Sequence, residues 1–127
     1  MELIYKEEFY RIKQACIKVR QTLGNGYLEK IYERALKIEL IENGFKVETQ
    51  KPFEVLYRDQ LIGDYYLDML VDDKIIIELK CCDKLQDYHK AQLINYLKAT
   101  DMKLGILINF PNNRKGFDIE RIPNLLD

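Results

Sequence analysis

Hydrophobic residues in this chain recur at helical spacing as far as Gly44 and at strand spacing beyond it. In the first stretch Tyr5, Phe9, Ile12, Cys16, Val19 and Leu23 follow one another at alternating steps of four and three. That pattern predicts one apolar stripe on a helix from about Leu3 to Leu23. Gly24-Asn25-Gly26 ends it, as a left-handed helix terminus would. A second helix is expected from about Tyr27 to Glu42, stopping at Asn43-Gly44.

Four strand-like runs follow: "FKVETQ", "FEVLYR", "IGDYYLDMLV" and "KIIIELK". They are punctuated by Lys51-Pro52, by Arg58-Asp59-Gln60 and by Asp72-Asp73. A helix is predicted from about Gln86 to Ala99. After it, "LGILINF" (Leu104 to Phe110) is an apolar run typical of a strand covered on both faces, closed by Pro111. Strand, helix, strand over Ile75 to Phe110 implies a parallel pair with a right-handed crossover. "FDIERIPNLL" can add a short edge strand. The whole predicts an α/β sandwich: N-terminal helices, a mainly antiparallel meander, a crossover helix and one parallel strand. No repeat, low-complexity segment or linker interrupts it.

With 127 residues, 47% hydrophobic and 32% charged, residues 1–127 are expected to form one compact domain with its own core. Neither end reads as a signal peptide, and the apolar runs fall far short of the roughly 20 residues that span a bilayer. The three cysteines make no disulfide framework and no CxxC pair for zinc. Adjacent Cys81 and Cys82 read as packing residues rather than a redox pair. These features predict a soluble, cytoplasmic protein with no membrane partner. A formal net charge of −1 gives no global basic signature, which weighs against a tight non-specific DNA binder. A nuclease remains compatible with it, because a metal-holding site is itself acidic.

Several polar residues do not suit a plain core. Glu78 and Lys80 lie two apart on a strand, so both leave one face, with Leu79 opposite. They could be a solvated strand end or an internal ion pair. Asp68 bears on that choice through register. A two-residue hairpin at Asp72-Asp73 would set Asp68 opposite Ile77, so convergence of Asp68 with Glu78 requires a three-residue connection or a bulge. Glu29 heads the stripe Tyr32, Leu36, Leu40 and is either a first-turn residue suited to the helix dipole or a carboxylate aimed at the sheet. His89, Gln92 and Tyr96 share one helix face. His89 alone reads as a surface or capping residue, and Gln92 and Tyr96 could be ordinary flank residues. Taken together, these are hard oxygen ligands without His or Cys partners, suited to Mg²⁺ or Mn²⁺, with a lysine beside them. Such a set is a phosphodiester-hydrolysis site in outline.

"GYLEKIY" (Gly26, Glu29, Tyr32) matches the signature of the GxxExxY protein family, a RecB-like branch of the PD-(D/E)XK nuclease superfamily. The resemblance continues through "DMLVDDKIIIELK", "HKAQLINYLKAT" and "KLGILINF", from about Gly24 to Phe110. It implies a restriction-endonuclease-like core in which Asp68, Glu78 and Lys80 are the metal-binding and water-assisting residues. It also implies that Glu29 is a further metal ligand, that Gln92 and Tyr96 form the Gln-x-x-x-Tyr pair near the site, and that the Leu79 carbonyl is a ligand. Leu67 stands where the superfamily often has a proline before the aspartate.

The expected function is a nuclease dependent on Mg²⁺ (or Mn²⁺) that hydrolyses phosphodiester bonds, with DNA as the first candidate partner. In that reading Lys80 orients or deprotonates the attacking water, and metal binding relieves carboxylate repulsion and stabilises the fold. The alternative is a non-catalytic nuclease-like module that binds nucleic acid or a protein. The stripe on the first helix could pack on the core or pair with a second copy as a homodimer.

Overall fold

The change of period after Gly44 is where the chain passes from helices into a sheet. The computed structural model describes residues 3–125. Its elements are α1 (Lys6–Leu23), α2 (Glu29–Glu42), β1 (Val47–Tyr57), β2 (Gln60–Val71), β3 (Ile75–Lys80), α3 (Asp87–Thr100), β4 (Leu104–Asn109) and β5 (Asp118–Pro123). The five strands lie in sequence order, with β3 and β4 parallel and every other neighbouring pair antiparallel. This is the expected mixed α/β architecture, with β5 supplying the edge strand.

Two helices start later than their periodicity suggests. Tyr5 takes a left-handed backbone (φ 52°), so α1 begins at Lys6. Gly26 (φ 107°) and an extended Leu28 delay α2 to Glu29. The runs expected on either side of Lys51-Pro52 are one continuous strand, β1. Proline is tolerated there because β1 is a sheet edge, where a missing N–H removes no ladder bond on the open side. The register of β1 on β2 shifts instead between Val55 and Leu56, while Gln50 has a φ of 51° and neither Gln50 nor Asp68 takes part in a ladder pair.

Both faces of the sheet are covered. On one, Ile12, Cys16 and Val19 of α1 and Tyr32, Leu36 and Leu40 of α2 pack against Ile75, Ile77, Leu79, Ile106 and Ile108. The stripe of α1 is thus used on the core rather than left open for a second copy. On the other face, Leu93, Tyr96 and Leu97 of α3 pack against Leu70, Ile76, Leu107 and Ile122. All of β4 is buried, which is why its sequence is continuously apolar rather than alternating. Cys16 is buried, Cys81 and Cys82 are half-buried, and all three are free thiols. Among the described residues no helix is long and apolar enough to cross a membrane.

Gly105 lets α3 approach the sheet closely. A Cβ built there would lie 2.8–2.9 Å from three carbons of the Leu93 side chain, which is fully buried. Gly105→Ala is therefore expected to destabilise the fold by about 1–3 kcal/mol through overpacking. Urea unfolding should also show that adding Leu93→Ala costs less on the Gly105→Ala background than alone.

Candidate active site

The turn between β2 and β3 sets the site. Asp72 and Asp73 both adopt left-handed backbone (φ 52° and 57°), a conformation Asp tolerates better than most residues. Lys74 N–H donates to the Val71 carbonyl at 3.0 Å, and Ile75 is the first residue paired back to Val71. The connection therefore has three residues, the case in which Asp68 comes opposite Glu78. The β2–β3 ladder ends at Met69 and Ile77, and beyond it the carboxylates join the strands. Leu79 N–H donates to Asp68 Oδ2 at 2.9 Å, and Asp68 N–H donates to Glu78 Oε2 at 3.1 Å. Each acid thus holds the backbone of the other strand.

Glu78 is 4% exposed in a strand whose other residues, up to Lys80 at its end, are Ile and Leu. Burial first, and the neighbouring Asp68 charge second, push its carboxyl up to about 9, while Lys80 pulls in the opposite sense more weakly. Lys80 is half-buried and, two residues along, leaves the same face. Among the described residues the ion pairs do not include it, so Glu78 and Lys80 are not an internal salt bridge.

Glu29 reaches this region from the first position of α2. Its carboxyl is pushed up by burial and then by Asp68, with Lys80 acting the other way. The residues around it in the Gly26-x-x-Glu29-x-x-Tyr32 segment are structural. Tyr32 is fully buried, donates its hydroxyl to the Gly24 carbonyl at 2.6 Å and stacks on Phe110 at 4.9 Å and 17°. Gly26 N–H donates to Asn112 Oδ1 at 2.9 Å. Buried Arg20 donates to the Tyr32 hydroxyl at 3.3 Å and to the carbonyls of Pro111 and Arg114. These bonds tie the loop before α2 to the segment after β4 and so fix the start of α2, where Glu29 stands with its side chain exposed.

On α3, His89 is a cap. Its Nδ1 accepts from Gln86 N–H at 2.9 Å, and the Gln86 side chain accepts from the His89 N–H. Tyr96 is 8% exposed, and its phenol is pushed up by burial and then by the charges of Glu78 and Asp68. Gln92 is exposed and lines, with Tyr96, a cleft between α3 and the β1–β2 hairpin. The Leu79 side chain lies in the opposite core, while its backbone is at the acid pair.

Sequence reasoning missed three supports. Asn109 is fully buried, and its side chain holds both the N–H and the carbonyl of Cys82 at 2.9 Å, fixing the chain as it leaves Lys80. The lone Asn closing "LGILIN" was the available signal. Gln50 donates to Glu33 at 3.5 Å, and burial, with a contribution from Asp68, pushes the Glu33 carboxyl up. Nothing in the local pattern marked that pair, because the strand pairing that sets Gln50 across from Asp68 is a property of the sheet. Arg20 is buried and bonds Tyr32, Pro111 and Arg114, and nothing in the sequence sets it apart from the other cations of α1.

Among the described residues no three His, Cys, Asp or Glu side chains converge closely enough to form a ready metal cage. What converges is a pair of carboxylates, Asp68 and Glu78. Hard oxygens, one of them disfavoured as an anion by burial and a like charge, fit a small divalent cation. Mg²⁺ in particular is commonly held by one or two carboxylates, with water and substrate phosphate completing its shell.

A layered α/β sheet with two acids and a lysine where two strands part is the arrangement of a metal-assisted phosphodiester site in outline. A sequence model of the PD-(D/E)XK nuclease superfamily matches residues 6–122, and the chain belongs to that superfamily. The fold is similar to the crystal structure of SSO0001, with a TM-score of 0.62 and 22% identity over 97% of this chain and 61% of that one. It is also similar to an alkaline exonuclease (LHK-Exo) from Laribacter hongkongensis, with a TM-score of 0.55 and 17% identity over 97% of this chain and 72% of that one. The chain therefore spans less than two thirds of the length of SSO0001. No curated protein matches the sequence.

Two outcomes follow from this geometry. A folded-state carboxyl raised above its ordinary 4.5 holds its proton better than the unfolded chain does. Its stabilisation is present in full below about pH 4.5 and is lost as pH rises towards 9. In EDTA, thermal melts should show stability falling across that window, and Glu78→Gln should flatten most of the fall. Tyr32→Phe removes the donor to Gly24 and should cost about 1–2 kcal/mol in urea unfolding.

Proposed function

We propose that this protein is a nuclease dependent on Mg²⁺ or Mn²⁺ that hydrolyses phosphodiester bonds, with DNA as its first candidate substrate. The observation that carries this reading is the reciprocal Asp68–Glu78 bond pair at the point where β2 and β3 part. Membership of the PD-(D/E)XK superfamily, whose nucleases generally use divalent ions, supports it. The Gly26, Glu29, Tyr32 segment supports placing it in the GxxExxY group.

In this reading Asp68 and Glu78 hold the cation, with Glu29 and the Leu79 carbonyl as further oxygen donors. Bound there, a divalent cation supplies Lewis-acid polarisation of the scissile phosphate and lowers the pKa of a coordinated water. Lys80, on the Glu78 face of β3, orients the attacking water or neutralises charge gathering on the phosphate. Gln92 and Tyr96 position substrate from α3. Loading Asp68 and Glu78 with a cation removes the electrostatic reason for Glu78 to keep a proton, so metal binding and ionisation of this acid should be coupled.

The second reading is a nuclease-like module that binds nucleic acid or a protein without cleaving. The net charge of −1 favours it, since tight phosphate binding usually draws on a basic surface. Against it stands buried Glu78: the backbone bonds that the two acids make do not require a second carboxyl whose ionisation is opposed by burial and by Asp68, whereas a cation site does.

Labelled single- and double-stranded DNA and RNA, incubated with Mg²⁺, Mn²⁺ or EDTA, separate the readings. The expected result is metal-dependent cleavage that Asp68→Asn and Lys80→Ala each reduce by at least about 10²-fold, the range of a positioned catalytic group. Melting temperature should rise with Mg²⁺ in wild type and not in Asp68→Asn. Absence of both cleavage and the metal-induced rise would sink the nuclease reading.

A further inference from the structure

The β1–β2 hairpin runs well past the end of β3. β2 pairs with β3 only over Met69–Val71, whereas β1 and β2 stay paired out to Tyr57 and Gln60. One face of this extension leans towards α3. Phe53 and Tyr65, directly paired across the ladder, stack at 5.6 Å and 24°. Both meet the ring of Tyr96, Phe53 edge-on at 5.1 Å and Tyr65 tilted at 5.7 Å. With Tyr88, Gln92 and Asn95 these rings line an open cleft of about 490 Å³. Tyr65 is 45% and Tyr88 67% exposed, so aromatic surface is left bare to solvent.

Tyr96, which lines the cleft, lies on the sheet face that also carries Glu78, near enough for the charges of Glu78 and Asp68 to bear on its phenol. The chemistry of the cleft is ring faces bordered by the amides of Gln92 and Asn95. That combination suits a flat ligand with a π-face and hydrogen-bonding edges, and the volume is that of an ordinary ligand site. A nucleobase has both features, but only when it is unstacked, since a base inside a duplex offers no free face. The chain also carries a net charge of −1, so attraction to phosphate alone is a weak source of affinity.

We propose that the cleft formed by Phe53, Tyr65 and Tyr96 binds an unpaired nucleobase and thereby directs single-stranded nucleic acid to the Asp68–Glu78 site. The second half rests on the nuclease reading, while base binding stands independently of it. Stacking on a protein ring contributes about 1–3 kcal/mol per base, equivalent to roughly 5- to 150-fold in affinity.

Binding is measured without hydrolysis, by anisotropy of a labelled oligonucleotide in EDTA and again in Ca²⁺. The probes are single-stranded DNA, single-stranded RNA, a DNA duplex and an abasic strand carrying the same phosphates without bases. Wild type is expected to prefer both single strands over the duplex and the abasic strand. Tyr65→Ala should weaken single-strand binding by about 5- to 150-fold at unchanged salt dependence, and Tyr65→Phe should restore it. Equal binding of the abasic strand, or single-strand affinity unmoved by Tyr65→Ala, overturns the proposal. So does a parallel loss on single strand and duplex. Tyr65-dependent binding without metal-dependent cleavage would uphold the cleft and remove the nuclease reading. Metal-dependent cleavage indifferent to Tyr65→Ala, with single-strand binding equally indifferent, would do the reverse.

Discussion

A carboxyl group buried at the end of an apolar strand is the constraint around which this molecule is arranged. Glu78 follows Ile75, Ile76 and Ile77, all fully buried, and is itself almost without exposure. Leaving an acid there unpartnered would cost several kcal/mol. The fold answers with a backbone donor, Asp68 N–H, and in exchange takes Asp68 as acceptor for Leu79 N–H. Burial of each neighbouring Ile or Leu contributes about 1.5–3 kcal/mol, enough for the strand to carry one acid among them. The three-residue turn at Asp72 to Lys74 is what makes the exchange geometrically available.

The reciprocal bonds also open the sheet. Where carboxylates replace ladder hydrogen bonds, β2 leaves β3 and continues with β1 as a free-standing hairpin. The same place therefore supplies two things: a pair of acids at a strand exit, and a cleft between hairpin and α3. Asn109 holds the other strand exit by clamping Cys82, which leaves Lys80 on a fixed backbone. Glu29 stands at the start of α2, a position fixed by the buried Arg20–Tyr32–Gly24 bonds behind it. Second-layer groups of this kind are what turn separate polar side chains into a site.

The electrostatics of the region are consistent with a place built for a cation. Glu29, Glu33 and Glu78 all have carboxyls held above their ordinary range, by burial first and by Asp68 among the further causes. Lys80 is the nearby cation that counters this at Glu29 and Glu78, and it is not bound in an ion pair among the described residues. Positive charge is thus in deficit where acids are gathered, within a chain whose overall charge is close to zero. The rings of Tyr65 and Tyr88 stand exposed in the cleft that Tyr96 also lines.

Periodicity alone determined the helix–sheet division, the stripes of α1 and α2, the fully covered strand β4 and the side on which Glu78 and Lys80 emerge, because burial repeats at 3.6 or 2 residues whatever the partner. The superfamily was legible too, since its residues stand in one order along the chain. Register was not. Whether Asp68 faces Glu78 depends on one residue of turn length, and the choice of left-handed backbone at both Asp72 and Asp73 is settled by strand pairing and by the Lys46–Asp72 bonds across the sheet. Likewise, Pro52 reads as a break until its strand is known to be an edge, and Tyr32 reads as a core ring until its hydroxyl finds Gly24. A local pattern specifies which face a side chain leaves. Only the assembled sheet decides what it meets there, because the partners come from strands and helices tens of residues away.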